Sequence, residues 1–168
     1  KFNICTVGRI SYQKNPEYLL EIFYELSKLR KDVDLVWCGK GELEDRIRKK
    51  IEQYKLDERV HLLGTRKDIP EILRCSDAFL LPSRFEGLGI VLVEAQAANL
   101  PCIMSDVIPE EVNCGFCLSI SLERLPEYWA EKICDLLDGK MFFELNTNKL
   151  DQYSIEHMVK MMEEVFEQ

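Results

Sequence analysis

No stretch of this 168-residue sequence approaches the run of ~20 apolar residues that a membrane-spanning helix needs. Lys1 to Gly8 reads as a buried strand rather than a signal peptide, so a soluble cytoplasmic protein is expected. Positive charge is scarce: 22 Lys and Arg stand against 30 Asp and Glu, a formal net charge of -8. That balance argues against nucleic acid as a partner, since its backbone calls for a basic surface. The deficit is uneven, with 17 cations to 14 anions in residues 1–84 but 5 to 16 in residues 85–168. Chemistry that handles anions should therefore lean on the first half. Histidine is limited to His61 and His157, and Cys114-Gly-Phe-Cys117 has no second such pair, so this spacing reads as packing beside a turn and no metal is expected. Seven cysteines is an odd number, and Cys5, Cys38 and Cys102 lie inside apolar runs, which suits reduced, buried thiols better than a disulfide framework.

Two nucleotide-binding signatures are missing as well. Gly39-Lys-Gly41 has Glu44 where the dinucleotide fingerprint needs a third glycine, and no G-x-x-x-x-G-K-[ST] occurs. Asp32-Val-Asp34 resembles a metal-binding aspartate pair, but it opens the second strand at its amino end, the wrong edge of the sheet for a ligand.

What the sequence does have is enough apolar content (46%) for one sizeable core, and an alternation of short β-branched runs with helical ones. Strands are expected at 2–8, 33–39, 59–63, 77–82, 101–105 and 116–120. Helices are expected from Asn15-Pro16, with Asn15 as a capping side chain, around Leu43, Ile47 and Ile51, near 68–74, at 90–98 and ended by a left-handed Asn99, and at 126–137. A last helix from about Ser154 carries an apolar stripe of Ile155, Met158, Val159, Met162, Val165 and Phe166. Such alternation predicts a doubly wound, Rossmann-like α/β fold, a parallel sheet of about six strands with helices on both faces.

In such a sheet the ligand crevice lies beyond the carboxyl ends of the strands where strand order reverses, between strands one and four if the order is 3-2-1-4-5-6. The two loops there are chemically unusual. Gly8-Arg9 to Lys14-Asn15-Pro16 sets two cations ahead of one helix, and Ser83-Arg-Phe-Glu86-Gly87-Leu88-Gly89 brings a carboxylate and two glycines to the start of another. Helix N-termini offer unpaired amides and partial positive charge, so phosphate belongs there.

Gly8-Arg9 with Lys14, the run Ser83-Arg-Phe-Glu86-Gly-Leu-Gly-Ile-Val-Leu-Val-Glu94-Ala, and Leu100-Pro101 resemble the C-terminal, donor-binding domain of retaining GT-B glycosyltransferases of the group 1 type. The resemblance runs from about Phe2 to Val112. It implies that residues 1–168 are one nucleotide-sugar-binding domain, the C-terminal half of a two-domain enzyme whose N-terminal domain holds the acceptor and any peripheral membrane contact. The implied reaction moves a hexose from a nucleoside diphosphate sugar to a glycan or lipid-linked saccharide, with retention and without a metal or other cofactor. A UDP-sugar is favoured over GDP- or ADP-sugars.

The residue roles follow from the same likeness. Arg9 and Lys14 meet the diphosphate, where charge builds as the glycosidic bond breaks. The amides of Gly87, Leu88 and Gly89 face the phosphates, and Gly8 belongs to the same site. Glu86 takes the hexose hydroxyls and Glu94 the ribose diol. Were all the residues between these two glutamates helical, they would lie ~12 Å apart, about the reach from hexose to ribose. Because its helix neighbours are apolar, Glu94 is expected to need a partner. Thr65, after strand three, is placed at the base edge, with an ordinary turn as the alternative. Two departures stand out: Asn15 occupies a position where the family often has glycine, and Val107-Ile-Pro-Glu replaces its glycine-rich turn. A related epimerase or phosphorylase, or a non-catalytic nucleotide-binding module, remain the alternatives. The last of these has no need to keep Arg9, Lys14, Glu86 and Glu94 together.

Overall fold

A computed structural model describes residues 1–157. Six parallel strands form one sheet: β1 (Phe2–Val7), β2 (Val33–Cys38), β3 (Val60–Gly64), β4 (Ala78–Leu81), β5 (Cys102–Ser105) and β6 (Cys117–Ile120). Their spatial order is β3-β2-β1-β4-β5-β6, so the order reverses between β1 and β4, which is the condition on which the ligand crevice was placed there. Because the four inner strands, β2, β1, β4 and β5, are buried on both faces, successive side chains feed two separate cores. Ile4, Leu80 and Ile103 point into one, together with α1 (Pro16–Leu29), α2 (Glu44–Tyr54) and α5 (Pro126–Leu137). Cys5, Phe79, Leu81, Cys102 and Met104 point into the other, beneath α3 (Ile69–Arg74) and α4 (Ile90–Ala97).

The helices form where apolar residues recur at helical spacing. In α1 the residues Leu19, Leu20, Ile22, Phe23 and Leu26 are buried, and its outer flank meets α5 through an edge-on contact of Tyr18 with Trp129 at 6.0 Å. Left-handed Asn99 (φ 58) ends α4 as expected. Asn15 departs from its expected role. It does stand at the N-cap of α1, but at φ 53 its side chain cannot reach the first-turn amides and makes no capping bond, and its Oδ1 is buried without a partner. N-capping asks for extended backbone. The left-handed conformation explains why a glycine would suit that position.

Past β6 the reading is incomplete. A short helix α6 (Thr147–Asp151), capped by the Asn146 side chain accepting from the Lys149 amide at 2.9 Å, has no apolar periodicity to betray it. Helical backbone resumes at Ile155–His157, and Ile155 is 75% exposed. The rest of the predicted stripe, Met158 to Phe166, lies outside the described residues.

All seven cysteines are free thiols: Cys5, Cys38, Cys102, Cys114 and Cys117 are buried, Cys134 is half-buried and Cys75 is exposed. Burial pushes the Cys5 thiol up to about 12 and raises Cys102 strongly, which keeps both protonated and unreactive at neutral pH. Asp34, near the amino end of β2, pairs with Lys1 at 2.8 Å and His61 at 2.9 Å, so its carboxylate serves the edge of the sheet opposite the ligand loops.

One buried polar group holds the second layer together. Gln96 of α4 is fully buried. Its amide donates to the carbonyls of Leu92 (3.0 Å) and Val112 (2.8 Å), and its Oε1 accepts from the Cys114 amide at 2.7 Å. It thereby ties α4 to the connection between β5 and β6. Gln96→Ala strands the Val112 carbonyl and the Cys114 amide and leaves a void, so the expected cost is about 3 kcal/mol. The check is the urea midpoint at unchanged slope, and a loss below about 1 kcal/mol would show that water replaces the clamp.

Candidate functional site

The loops that leave β1 and β4 meet where the sheet reverses. The amide of Arg84 donates to the Gln13 carbonyl at 2.8 Å, and the Arg84 guanidinium lies 4.6 Å from the centroid of the Tyr12 ring. Lys14 Nζ reaches Glu86 Oε1 at 2.5 Å, and the two side chains are only 18% and 6% exposed. Ser83, fully buried, donates from Oγ to the same Glu86 oxygen at 2.6 Å, while Gln13 Nε2 approaches Oε2 at 3.4 Å. The Ser83 carbonyl in turn accepts from Ser105 Oγ at 2.6 Å. A carboxylate this far from water needs compensation. Lys14 and Ser83 supply it and fix the group at the mouth of the crevice.

The β1 loop is held by its neighbour. Gly8 donates to the Cys38 carbonyl (2.9 Å), Ile10 to that of Lys40 (3.1 Å), and Leu43 back to that of Ile10 (3.1 Å). So close an approach explains Gly39-Lys-Gly41, which had no role as a dinucleotide motif. A Cβ on Gly39 would stand 1.9 Å from the Gly8 carbonyl oxygen, and one on Gly41 2.2 Å from that of Ile10. At Gly8 itself a Cβ would press on Lys14 Cε at 2.9 Å, so the missing side chain is what lets the lysine cross the backbone toward Glu86.

The remaining candidates surround this pair without touching it. Arg9 is largely exposed, and its Nε pairs with Glu42 at 3.3 Å. Thr65 is exposed just after β3, whose last residue, Gly64, accepts from the Gly39 amide at 2.8 Å. Gly87 and Leu88 are exposed, and Gly89, half-buried, takes φ 66 at the N-cap of α4. The amides of these three find no acceptor within the described residues and sit at a helix N-terminus. Glu94 is exposed, contrary to the expectation drawn from its apolar neighbours. Leu92, Val93 and Ala95 turn into the core, while Glu94 lies on the helix face that lines an open groove with Leu88, Ile90 and Ala97. The helical interval assumed between the two glutamates is also shorter than supposed, since α4 begins at Ile90. Ser83, Gln13 and Ser105 were absent from the candidate residues. The signal available for Ser83 was its place in the same loop, three residues before Glu86, whose carboxylate its hydroxyl reaches.

The profile of the glycosyl transferases group 1 family matches residues 1–157. The chain belongs to that family. Among relatives of this member of the group 1 family, EpsF of Bacillus subtilis (strain 168), a glycosyltransferase by name, is 41% identical over 129 residues, 76% of this chain and 34% of that one. The UDP-Gal:alpha-D-GlcNAc-diphosphoundecaprenol alpha-1,3-galactosyltransferase of Escherichia coli is 40% identical over 109 residues, 63% of this chain and 28% of that one. The chain thus spans about a third of the length of these relatives. Its fold is that of S. aureus TarM crystallised with fondaparinux, alpha-GlcNAc-glycerol and UDP, at TM-score 0.83 and 21% identity over 99% of this chain and 35% of that one. It is likewise that of Anabaena HepE in complex with UDP, at TM-score 0.82 and 17% identity over 99% of this chain and 49% of that one.

Proposed function

We propose that this glycosyltransferase chain is a single nucleotide-sugar-binding domain, the C-terminal half of a two-domain enzyme whose N-terminal half holds the acceptor. The complete enzyme transfers a hexose from a nucleoside diphosphate sugar, a UDP-sugar ahead of GDP- or ADP-sugars, to a glycan or lipid-linked saccharide at the cytoplasmic side of polysaccharide biosynthesis. The observation that carries the reading is the Lys14–Glu86 contact across the two loops at the reversal of strand order. It brings the cation meant for a phosphate and the carboxylate meant for a sugar to one point, as a donor that joins the two groups demands. UDP in the TarM and HepE structures and in the name of the E. coli relative supports the choice of base.

On this reading the pair is a resting arrangement. A bound diphosphate draws Lys14 and Arg9 to itself, the amides of Gly87, Leu88 and Gly89 complete the phosphate site, and Glu86, held by Ser83, turns to the hexose hydroxyls. Glu94 faces the ribose and Thr65 the base. No metal is required where two cations and a helix N-terminus meet the leaving phosphate. Titration calorimetry on the chain is expected to give UDP binding tighter than GDP or ADP, with no sugar transfer in the absence of the other domain. Heatless titrations with all three at millimolar concentration would remove the basis of the proposal.

A further inference from the structure

The sheet ends at β6, whose strand neighbour is β5 alone. In a parallel pair, residues alternate between bonding to the neighbour and facing away. Cys102 donates to the Phe116 carbonyl at 2.8 Å and Asp106 to that of Ile120 at 3.0 Å, so the even-numbered residues of β6 face β5 and Cys117 and Ser119 turn their N–H and C=O groups outward. The chain itself closes the first of these positions: the Asn113 carboxamide accepts from the Cys117 amide at 3.2 Å and donates to its carbonyl at 3.3 Å. Ser119 has no such cover among the described residues and is exposed. It lines a groove of about 520 Å³ between β6, α5 and the segment 141–143.

The charge of that groove runs against its surroundings. Residues 85–168 hold 5 cations and 16 anions, yet Arg124 and Lys132 both line it and no carboxylate does. They flank Tyr128, with their charged groups 5.0 and 5.6 Å from its ring centroid. Lys132 is also 3.2 Å from Asp135, a surface pair of small worth. Glu123, Glu127 and Glu131 precede Arg124, Tyr128 and Lys132 by one residue each, and all three are exposed outside the groove. A broad anionic surface would meet both rows of charge, whereas a narrow extended ligand meets the cations alone. A second copy of the chain would bring the same two cations and be repelled.

We propose that β6 is a docking edge for an extended acidic segment of a partner protein, which adds as a strand at Ser119 and sets its carboxylates against Arg124 and Lys132. Phe142, 99% exposed at the rim, covers an apolar side chain of the incoming strand.

The test is fluorescence anisotropy of the 168-residue chain with a labelled Glu-Val-Glu-Val-Glu-Val peptide, its Lys-Val counterpart, and the acidic peptide N-methylated on alternate amides. Binding of the acidic peptide is expected, weakened roughly tenfold by Arg124→Glu with Lys132→Glu and severalfold by Ser119→Pro, which removes the outward N–H. The basic and N-methylated peptides should bind at least tenfold more weakly, and these two comparisons stand even if Ser119→Pro perturbs folding. No binding at millimolar peptide overturns the proposal. So does equal affinity for the N-methylated form, or equal capture of anionic vesicles or a sulfated glycan with the same charge dependence, which would make the groove a plain anion site.

Discussion

If the complete protein is the two-domain transferase proposed above, Glu86→Ala is expected to lower its kcat by roughly two to three orders of magnitude, the range seen when one preorganised group facing the reacting centre is lost, while UDP affinity changes far less. The reason is position. Glu86 is held by Ser83 and paired with Lys14, and on the proposed reading this fixed carboxylate faces the sugar rather than the nucleotide. Glu94 has no such scaffold among the described residues. It projects from an exposed face of α4, and Glu94→Ala should raise the donor KM about tenfold with kcat nearly intact, the mark of an interaction equally present in ground and transition states. Steady-state kinetics with donor titration separates the two effects. Matching losses of affinity in both variants, with turnover unchanged, would refute the assigned roles.

Gly39→Ala should be almost as damaging although residue 39 need never touch the ligand. Its φ of +138 is hostile to a side chain, and the new Cβ would lie 1.9 Å from the Gly8 carbonyl oxygen. The β1 loop must then move away from the β2 loop and carry Lys14 with it. Strain and overpacking of this kind cost about 3 kcal/mol, and UDP binding should weaken by at least tenfold as the lysine leaves its post. Gly87→Ala is the control, because a Cβ there meets nothing within 4 Å, so stability should stay within about 0.5 kcal/mol of the parent. Thermal melts with calorimetric titration of both variants decide the matter: a Gly39→Ala protein that melts and binds like the parent would show that the loop pair is not a mechanical unit.

The strands were legible because buried strands read as apolar runs, and the crossover helices between them have a 3.6-residue period; the reversal of strand order entered only as the commonest arrangement of such a fold. Lys14 and Glu86 were legible as residue types in suitable loops. That they touch was not, since 72 positions separate them and only the closed sheet brings the loops together. Local sequence misled at Asn15, where residue preference points to a cap but the backbone is left-handed, and at Glu94, where apolar neighbours on a short helix said nothing of which face the carboxylate shares. Gln96 was hidden for the opposite reason. A glutamine among alanines looks like surface, and its three hydrogen bonds run to a segment 16 to 18 residues away and to its own helix.

Of the seven thiols, Cys75 alone is exposed, and it closes α3 three residues before β4 starts. It therefore lies at the amino edge of the sheet, a full strand length from the loops that follow β1 and β4, while burial keeps Cys5 and Cys102 out of reach of thiol reagents. Cys75 is thus the most accessible attachment point among these thiols, ahead of half-buried Cys134: a surface tether placed there would orient the chain with its crevice facing the solution.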